Sequence, residues 1–167
     1  LKRAAAARAV ELVASGTVIG LGTGSTVRPL LELLGARLAS GVLQDVVAVP
    51  PSADTAPRCR ALGIPLTTLD DHPKLALAID GADEVGPRLD LIKGLGGALL
   101  REKLVALAAK RFLIIADGSK RVRRLGTRAP VPVEVVAFGW TTHLEFFRQL
   151  GAQPTRRLAK DGRPYRT

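Results

Sequence analysis

Aromatic side chains are scarce in this chain: four Phe, one Trp and one Tyr make up 4% of its 167 residues. Recognition of unpaired bases needs such rings as stacking platforms, and no helix-turn-helix or RNA-binding signature stands in for them. Cysteine is nearly absent too. The single Cys59 excludes an internal disulfide, and no metal-ligand set accompanies it in the sequence. We expect Cys59 to be a small, partly buried residue on a helix, and a cytoplasmic location follows as the default. No apolar run approaches the ~20 uncharged residues that cross a bilayer, so no membrane partner is expected. The opening LKRAAAARAVELV reads as an amphipathic helix, not a signal peptide. Methionine is missing altogether, and LAKDGRPYRT at the end reads as a strand, a turn at Asp161–Gly162 and the start of a return strand. Together these lead us to expect a chain that continues beyond Thr167.

Hydrophobic residues are plentiful, at 47%, and 167 residues suffice for one packed domain or a domain with a small second lobe. Lys and Arg outnumber Asp and Glu by 25 to 15, a net charge of +10. The basic residues gather between Arg101 and Arg128 and include Lys120, Arg121, Arg123 and Arg124. Such a cluster reads either as a nucleic-acid surface or as a solvated face that steers an anionic small molecule. The scarcity of aromatics favours the second, and no nucleic-acid partner is expected.

Strands alternate with helices along the chain, which predicts an α/β fold with a Rossmann-like, doubly wound, mostly parallel sheet. The spacing predicts helices over Lys2–Ser15, from Thr26 to Leu38, over Ser52–Leu62 and over Gly97–Lys110. Between them TVIGLG, DVVAVP, IPLTTL, LALAID and FLIIAD read as strands. The texture changes near Gly126–Pro132, which carries two prolines and a glycine. We therefore expect a Rossmann-like catalytic domain over 1–128 and a smaller, incomplete α+β lobe over 129–167. That lobe should contain the strand VPVEVV, a helix over Thr141–Leu150 and the strand PTRRLAK.

Three polar motifs follow predicted strands: GTGST after TVIGLG, DGAD after LALAI and ADGSK after FLII. In an open α/β sheet, ligands bind outside the carboxyl ends of the strands, so these motifs should meet along one edge. Thr23-Gly24-Ser25-Thr26 suits an anion, because small residues, hydroxyls and a following helix present donors to it. It also suits a tight turn capped by Ser25 or Thr26. The glycine spacing is G-x-G-x-G, not that of a dinucleotide fold or a Walker loop.

Asp80 and Asp83 fit acid–base chemistry, a Mg²⁺ site or plain loop positions. Lys93, in the glycine-rich Ile-Lys-Gly-Leu-Gly-Gly, provides a cation for a developing oxyanion without a metal. Glu102 falls early in the next helix between Arg101 and Lys103. Those cations and the helix start should favour its ionised form, whether it serves as a base or only in a surface salt bridge.

Taken in order, GLGTGST, AIDGADEV, LIKGLGGALLREK and IADGSK resemble the ribose-5-phosphate isomerase family of the A type, and PVPVEVV and LGAQPTRR fit the same pattern. The resemblance spans essentially the whole chain. It implies interconversion of ribose 5-phosphate and ribulose 5-phosphate in the pentose phosphate pathway, through an enediolate and without metal or cofactor. It implies Glu102 as proton acceptor, with Asp80 and Asp83 handling hydroxyl protons and ring opening, and Lys93 the enediolate charge. The substrate-binding set it implies is Thr23, Gly24, Ser25, Thr26, Asp80, Gly81, Ala82, Asp83, Lys93, Gly94, Leu95, Gly96 and Lys120. Leu95 stands where many members carry glycine. The family further implies a sugar-phosphate partner and a homo-oligomer, dimer or tetramer. A non-catalytic sugar-phosphate sensor is the alternative, since fold alone does not decide activity.

Overall fold

A computed structural model describes residues 1–167, which fall into two compact units, Leu1–Pro132 and Val133–Thr167. In the first unit the order is α1 (Lys2–Val10), β1 (Val18–Leu21), α2 (Val27–Ala39), β2 (Val47–Val49) and α3 (Thr55–Ala61). There follow β3 (Leu77–Asp80), a short hairpin of β4 (Glu84–Val85) and β5 (Leu91–Ile92), α4 (Leu99–Ala108) and β6 (Phe112–Ile114). The four longer strands form one parallel sheet in the order β2-β1-β3-β6.

Period-two alternation decides which side chains go where. Ile19, Leu21, Leu77 and Ile79 point into a core shared with Ala6, Ala9 and Val10 of α1, Leu30, Leu31 and Leu34 of α2 and Cys59 of α3. Ala78 and Val49 pack on the other face with Val105 of α4. Helices therefore cover both faces, as a parallel sheet requires. Leu30 and Leu34 are fully buried one helical turn apart, and truncating such a core leucine costs about 2–5 kcal/mol. The chain runs from β1 outward to β2, then returns to place β3 on the other side of β1. The crevice between the carboxyl ends of β1 and β3 is thus the topological switch point.

Several elements differ from the sequence expectation. IPLTTL makes only one bridge, Leu66 to Ala48, because Pro65 has no N–H to extend a ladder. VPVEVV forms no strand; Val133, Val135 and Val136 are exposed and have no neighbouring strand to pair with. PTRRLAK is reduced to a bridge between Leu158 and Pro164 around the turn at Asp161–Gly162. The first unit also runs past 128. Arg128 and Ala129 donate their backbone N–H groups to buried Glu84, at 2.6 and 2.9 Å, which ties them to the sheet domain.

Unit two contains α5 (Thr142–Gln149). The Arg156 guanidinium lies over the Trp140 ring and that of Arg157 over Tyr165. No helix of the structure is long and apolar enough to cross a membrane.

Candidate active site

Each of the three motifs leaves the carboxyl end of a neighbouring parallel strand, β1, β3 or β6. Their meeting depends on one close approach. A Cβ added to Gly22 would overlap the Asp80 carboxylate, so only glycine lets the loop after β1 lie against the acid at the end of β3. Asp80 is 4% exposed and accepts three hydrogen bonds. Its Oδ1 accepts the N–H groups of Gly81 at 2.6 Å and Thr23 at 3.3 Å, and its Oδ2 accepts Lys93 Nζ at 2.7 Å. The Gly81 position also faces Thr26, whose Cβ lies 3.9 Å from where a Gly81 Cβ would stand.

Lys93 leaves the end of β5 and turns inward. Its ammonium donates to Asp80 and to the Gly81 carbonyl at 2.6 Å, and stands 3.1 Å from Glu102 Oε2. The glycine after it adopts φ +97°, a left-handed conformation that sends the chain across to α4. Leu95 does not share that conformation, so a side chain costs the loop nothing there. Its N–H donates to Asp83 Oδ2 at 3.0 Å. Ala82 joins these two aspartates, and Gly96 completes the turn before Gly97, whose N–H returns to the Gly94 carbonyl at 2.9 Å.

Glu102 sits in the first turn of α4 and is 5% exposed. Its neighbours Arg101 and Lys103 are exposed, so they do not set its charge. Burial raises the Glu102 pKa above its ordinary value, the Asp80 charge raises it further, and Lys93 only partly offsets this. The sequence expectation of a helix and flanking cations favouring the ionised form is therefore corrected: desolvation wins. An apolar cavity of about 280 Å³, lined by Leu91, Leu99, Ala106, Phe112 and Val131, opens beside it. Glu102 Oε2 has no hydrogen-bond partner. The nearby Lys93 lies within ion-pair distance of it but directs its hydrogen bonds to Asp80 and Gly81.

At the other end of the site lies the hydroxyl-rich loop. Neither Ser25 nor Thr26 caps α2 through its side chain, contrary to the capping reading; Val27 and Arg28 instead donate to the Gly24 carbonyl. Ser25 Oγ accepts Lys2 Nζ at 2.7 Å. Beside this loop, Asp117 accepts both the hydroxyl and the backbone N–H of Ser119. Those bonds, with the nearby charges of Lys2 and Lys120, hold its carboxyl below the usual range. Lys2 and Lys120 thus mark a cationic pole.

Sequence reasoning missed Lys2, which reaches the site only because α1 packs along α2, where Arg3 also pairs with Glu32. It also missed the structural work of Glu84. Burial opposes ionisation of that carboxyl, but N–H groups from Gly126, Arg128 and Ala129 outweigh it and lower its pKa.

A buried acid, a shared lysine and a second acid at one pole, with hydroxyls and cations at the other, suit an α/β enzyme acting on a small anion. Comparison with known proteins narrows this class. The family model for ribose 5-phosphate isomerase A (phosphoriboisomerase A) matches residues 47–167. Ribose-5-phosphate isomerase A of Roseiflexus castenholzii is 57% identical over 99% of this chain and 71% of its own length. A probable chloroplastic ribose-5-phosphate isomerase 3 of Arabidopsis thaliana is 49% identical over all of this chain and 62% of its own. A solved D-ribose-5-phosphate isomerase in complex with phospho-erythronic acid superposes with a TM-score of 0.93 at 37% identity, covering 98% of this chain and 71% of that one. The chain belongs to the ribose 5-phosphate isomerase A family and is an isomerase.

Proposed function

We propose that this protein interconverts D-ribose 5-phosphate and D-ribulose 5-phosphate through an enediolate, by acid–base proton transfer without a metal. The observation that carries the reading is Glu102: buried, its pKa raised by desolvation and the Asp80 charge, and 3.1 Å from a lysine ammonium. A carboxyl of raised pKa beside a fixed cation suits a general base.

In the open-chain aldose, Glu102 removes the proton from C2, and the electron pair of that C–H bond forms the C1–C2 double bond. Negative charge passes to the C1 oxygen, where Lys93 stabilises it. Glu102 returns the proton to C1, the C2 hydroxyl proton passes to the C1 oxygen, and the C2 carbonyl and C1 hydroxyl form. Asp80 and Asp83 carry the hydroxyl protons in this step and in ring opening. Lys93 supplies positive charge where a divalent cation would otherwise be needed. Thr23 to Thr26, Lys120 and Lys2 take the phosphate. Phospho-erythronic acid, held by the solved relative, pairs a carboxylate with a phosphate and suits both poles. A sensor would need only the anion loop; the buried Lys93–Glu102 pair favours catalysis.

The reaction belongs to the non-oxidative pentose phosphate pathway. We place it in the cytoplasm, supported by a single buried cysteine with no disulfide partner. A homo-oligomeric state, a dimer above all, is supported by Leu100, Leu104 and Leu107 exposed on α4.

Ribose 5-phosphate deuterated at C2 tests the chemistry. Proton transfer through a carboxylate predicts partial loss of the label to water. Complete transfer of deuterium to C1 would indicate a hydride shift and overturn the enediolate route.

A further inference from the structure

The loop after β2, Pro50 to Asp54, contributes nothing to the site as described so far, yet its hydroxyls reach into it. Ser52 Oγ lies 3.3 Å from Thr23 Oγ1 and 3.0 Å from Thr55 Oγ1, and it accepts the Thr55 N–H at 3.2 Å. Thr55 is 2% exposed, and its own hydroxyl donates to the Gly22 carbonyl at 3.0 Å. Gly22 and Thr23 are adjacent residues of the ligand loop. The four groups therefore close a ring: Thr23 hydroxyl, Ser52 hydroxyl, Thr55 hydroxyl and Gly22 carbonyl.

The donor count gives the ring a direction. A carbonyl only accepts, so the Thr55 proton is committed to Gly22. Ser52 has one proton and two hydroxyl oxygens within reach. When it gives that proton to Thr23, the Thr23 hydroxyl proton is released to donate elsewhere, and an anion in the loop is the acceptor it can serve. When Ser52 turns to Thr55 instead, the Thr23 hydroxyl keeps its contact with Ser52 only by donating to it, which leaves lone pairs facing the ligand. Thr55 meanwhile pins the Gly22 carbonyl, holding the residue that packs without a side chain against Asp80.

We propose that Ser52 and Thr55 are positioning residues of the anion loop, with Ser52 orienting the Thr23 hydroxyl as a donor and Thr55 locking the Gly22–Thr23 backbone. The inference rests on the proposed sugar-phosphate site but is tested separately from its catalysis. In the full-length protein, binding of inorganic phosphate is measured by calorimetry for wild type, Ser52→Ala, Thr55→Val and Thr55→Ser. Isomerisation kinetics are measured beside it.

Loss of one orienting hydrogen bond predicts a phosphate Kd and a ribose 5-phosphate KM raised about 3- to 10-fold in Ser52→Ala, with a far smaller change in kcat. Thr55→Ser, which keeps the hydroxyl, should restore the binding that Thr55→Val loses. Ser52→Ala is the arm that does not depend on a buried substitution folding well. Wild-type phosphate affinity in Ser52→Ala, or a fall in kcat with phosphate affinity unchanged, would overturn the inference. If wild type binds phosphate but does not isomerise the sugar, the proposed function fails while the phosphate arm still decides this point.

Discussion

The Lys93 ammonium stands 3.1 Å from Glu102 Oε2, but it is held more closely by Asp80, at 2.7 Å. One cation serves two buried acids, hydrogen-bonded to Asp80 and ion-paired with Glu102. Glu102 keeps its ion pair with this lysine, yet burial and the Asp80 charge outweigh it and leave the Glu102 pKa raised.

That arrangement has a stability cost with a definite sign. Because the folded-state pKa of Glu102 is raised above its ordinary 4.5, the folded protein binds its proton more tightly than the unfolded chain does. Stability is then highest below the ordinary value and falls as pH rises through the raised one. Glu102→Gln should melt at a higher temperature than wild type at neutral pH, and the two should converge below about pH 4.5. Thermal denaturation across that range checks it; a variant that melts lower at neutral pH contradicts it.

Glu84 carries the opposite sign. Its carboxyl is held below the ordinary range by backbone N–H donors, so its contribution is present above the unfolded pKa and lost as pH falls through the folded one. Glu84→Gln should therefore lower the melting temperature at neutral pH, with the difference vanishing on acidification. Amide hydrogen exchange should show either Gly126, or Arg128 and Ala129, losing protection in the variant, because these amides divide between the two Glu84 oxygens and a glutamine keeps only one.

Much of the site could be read from residues alone because its motifs lie at strand ends, where local sequence and topology coincide. Gly22 to Thr26, Asp80 to Asp83 and Lys93 are of this kind. Lys2 and Ser52 are not. Each touches the loop through packing between elements distant in sequence, and a half-buried lysine or serine has no signature of its own. Glu102 shows the converse error. Arg101 and Lys103 flank it in sequence, but a helix turns adjacent residues to different faces, and the buried face decides the matter. The valines of VPVEVV favour a strand, yet they specify a pleated surface only where another strand supplies the partner.

Gly22→Ala is expected to be far worse than its size suggests. The added methyl meets the Asp80 carboxylate, and relief requires moving β3's last residue or the anion loop. Overpacking of this kind costs about 1–3 kcal/mol, and the displaced Asp80 should release Lys93. A loss of kcat together with a raised KM in steady-state kinetics is the expected outcome. Wild-type parameters would show that the contact tolerates a side chain.

Lys2→Ala should act at the phosphate pole only. Removing the ammonium that reaches Ser25 predicts a KM raised about 3- to 10-fold with kcat nearly unchanged. The defect should shrink at high salt, where wild type loses the same attraction. An equal fall in kcat would place Lys2 at the reacting atoms instead.

The most direct test of the whole account is conversion of ribose 5-phosphate to ribulose 5-phosphate by the full-length protein with and without Glu102→Gln. Loss of a positioned general base predicts a kcat reduced ~10²–10⁴-fold, with the KM for the sugar phosphate little changed. Turnover that survives the substitution nearly intact would contradict the assignment of Glu102 as the base.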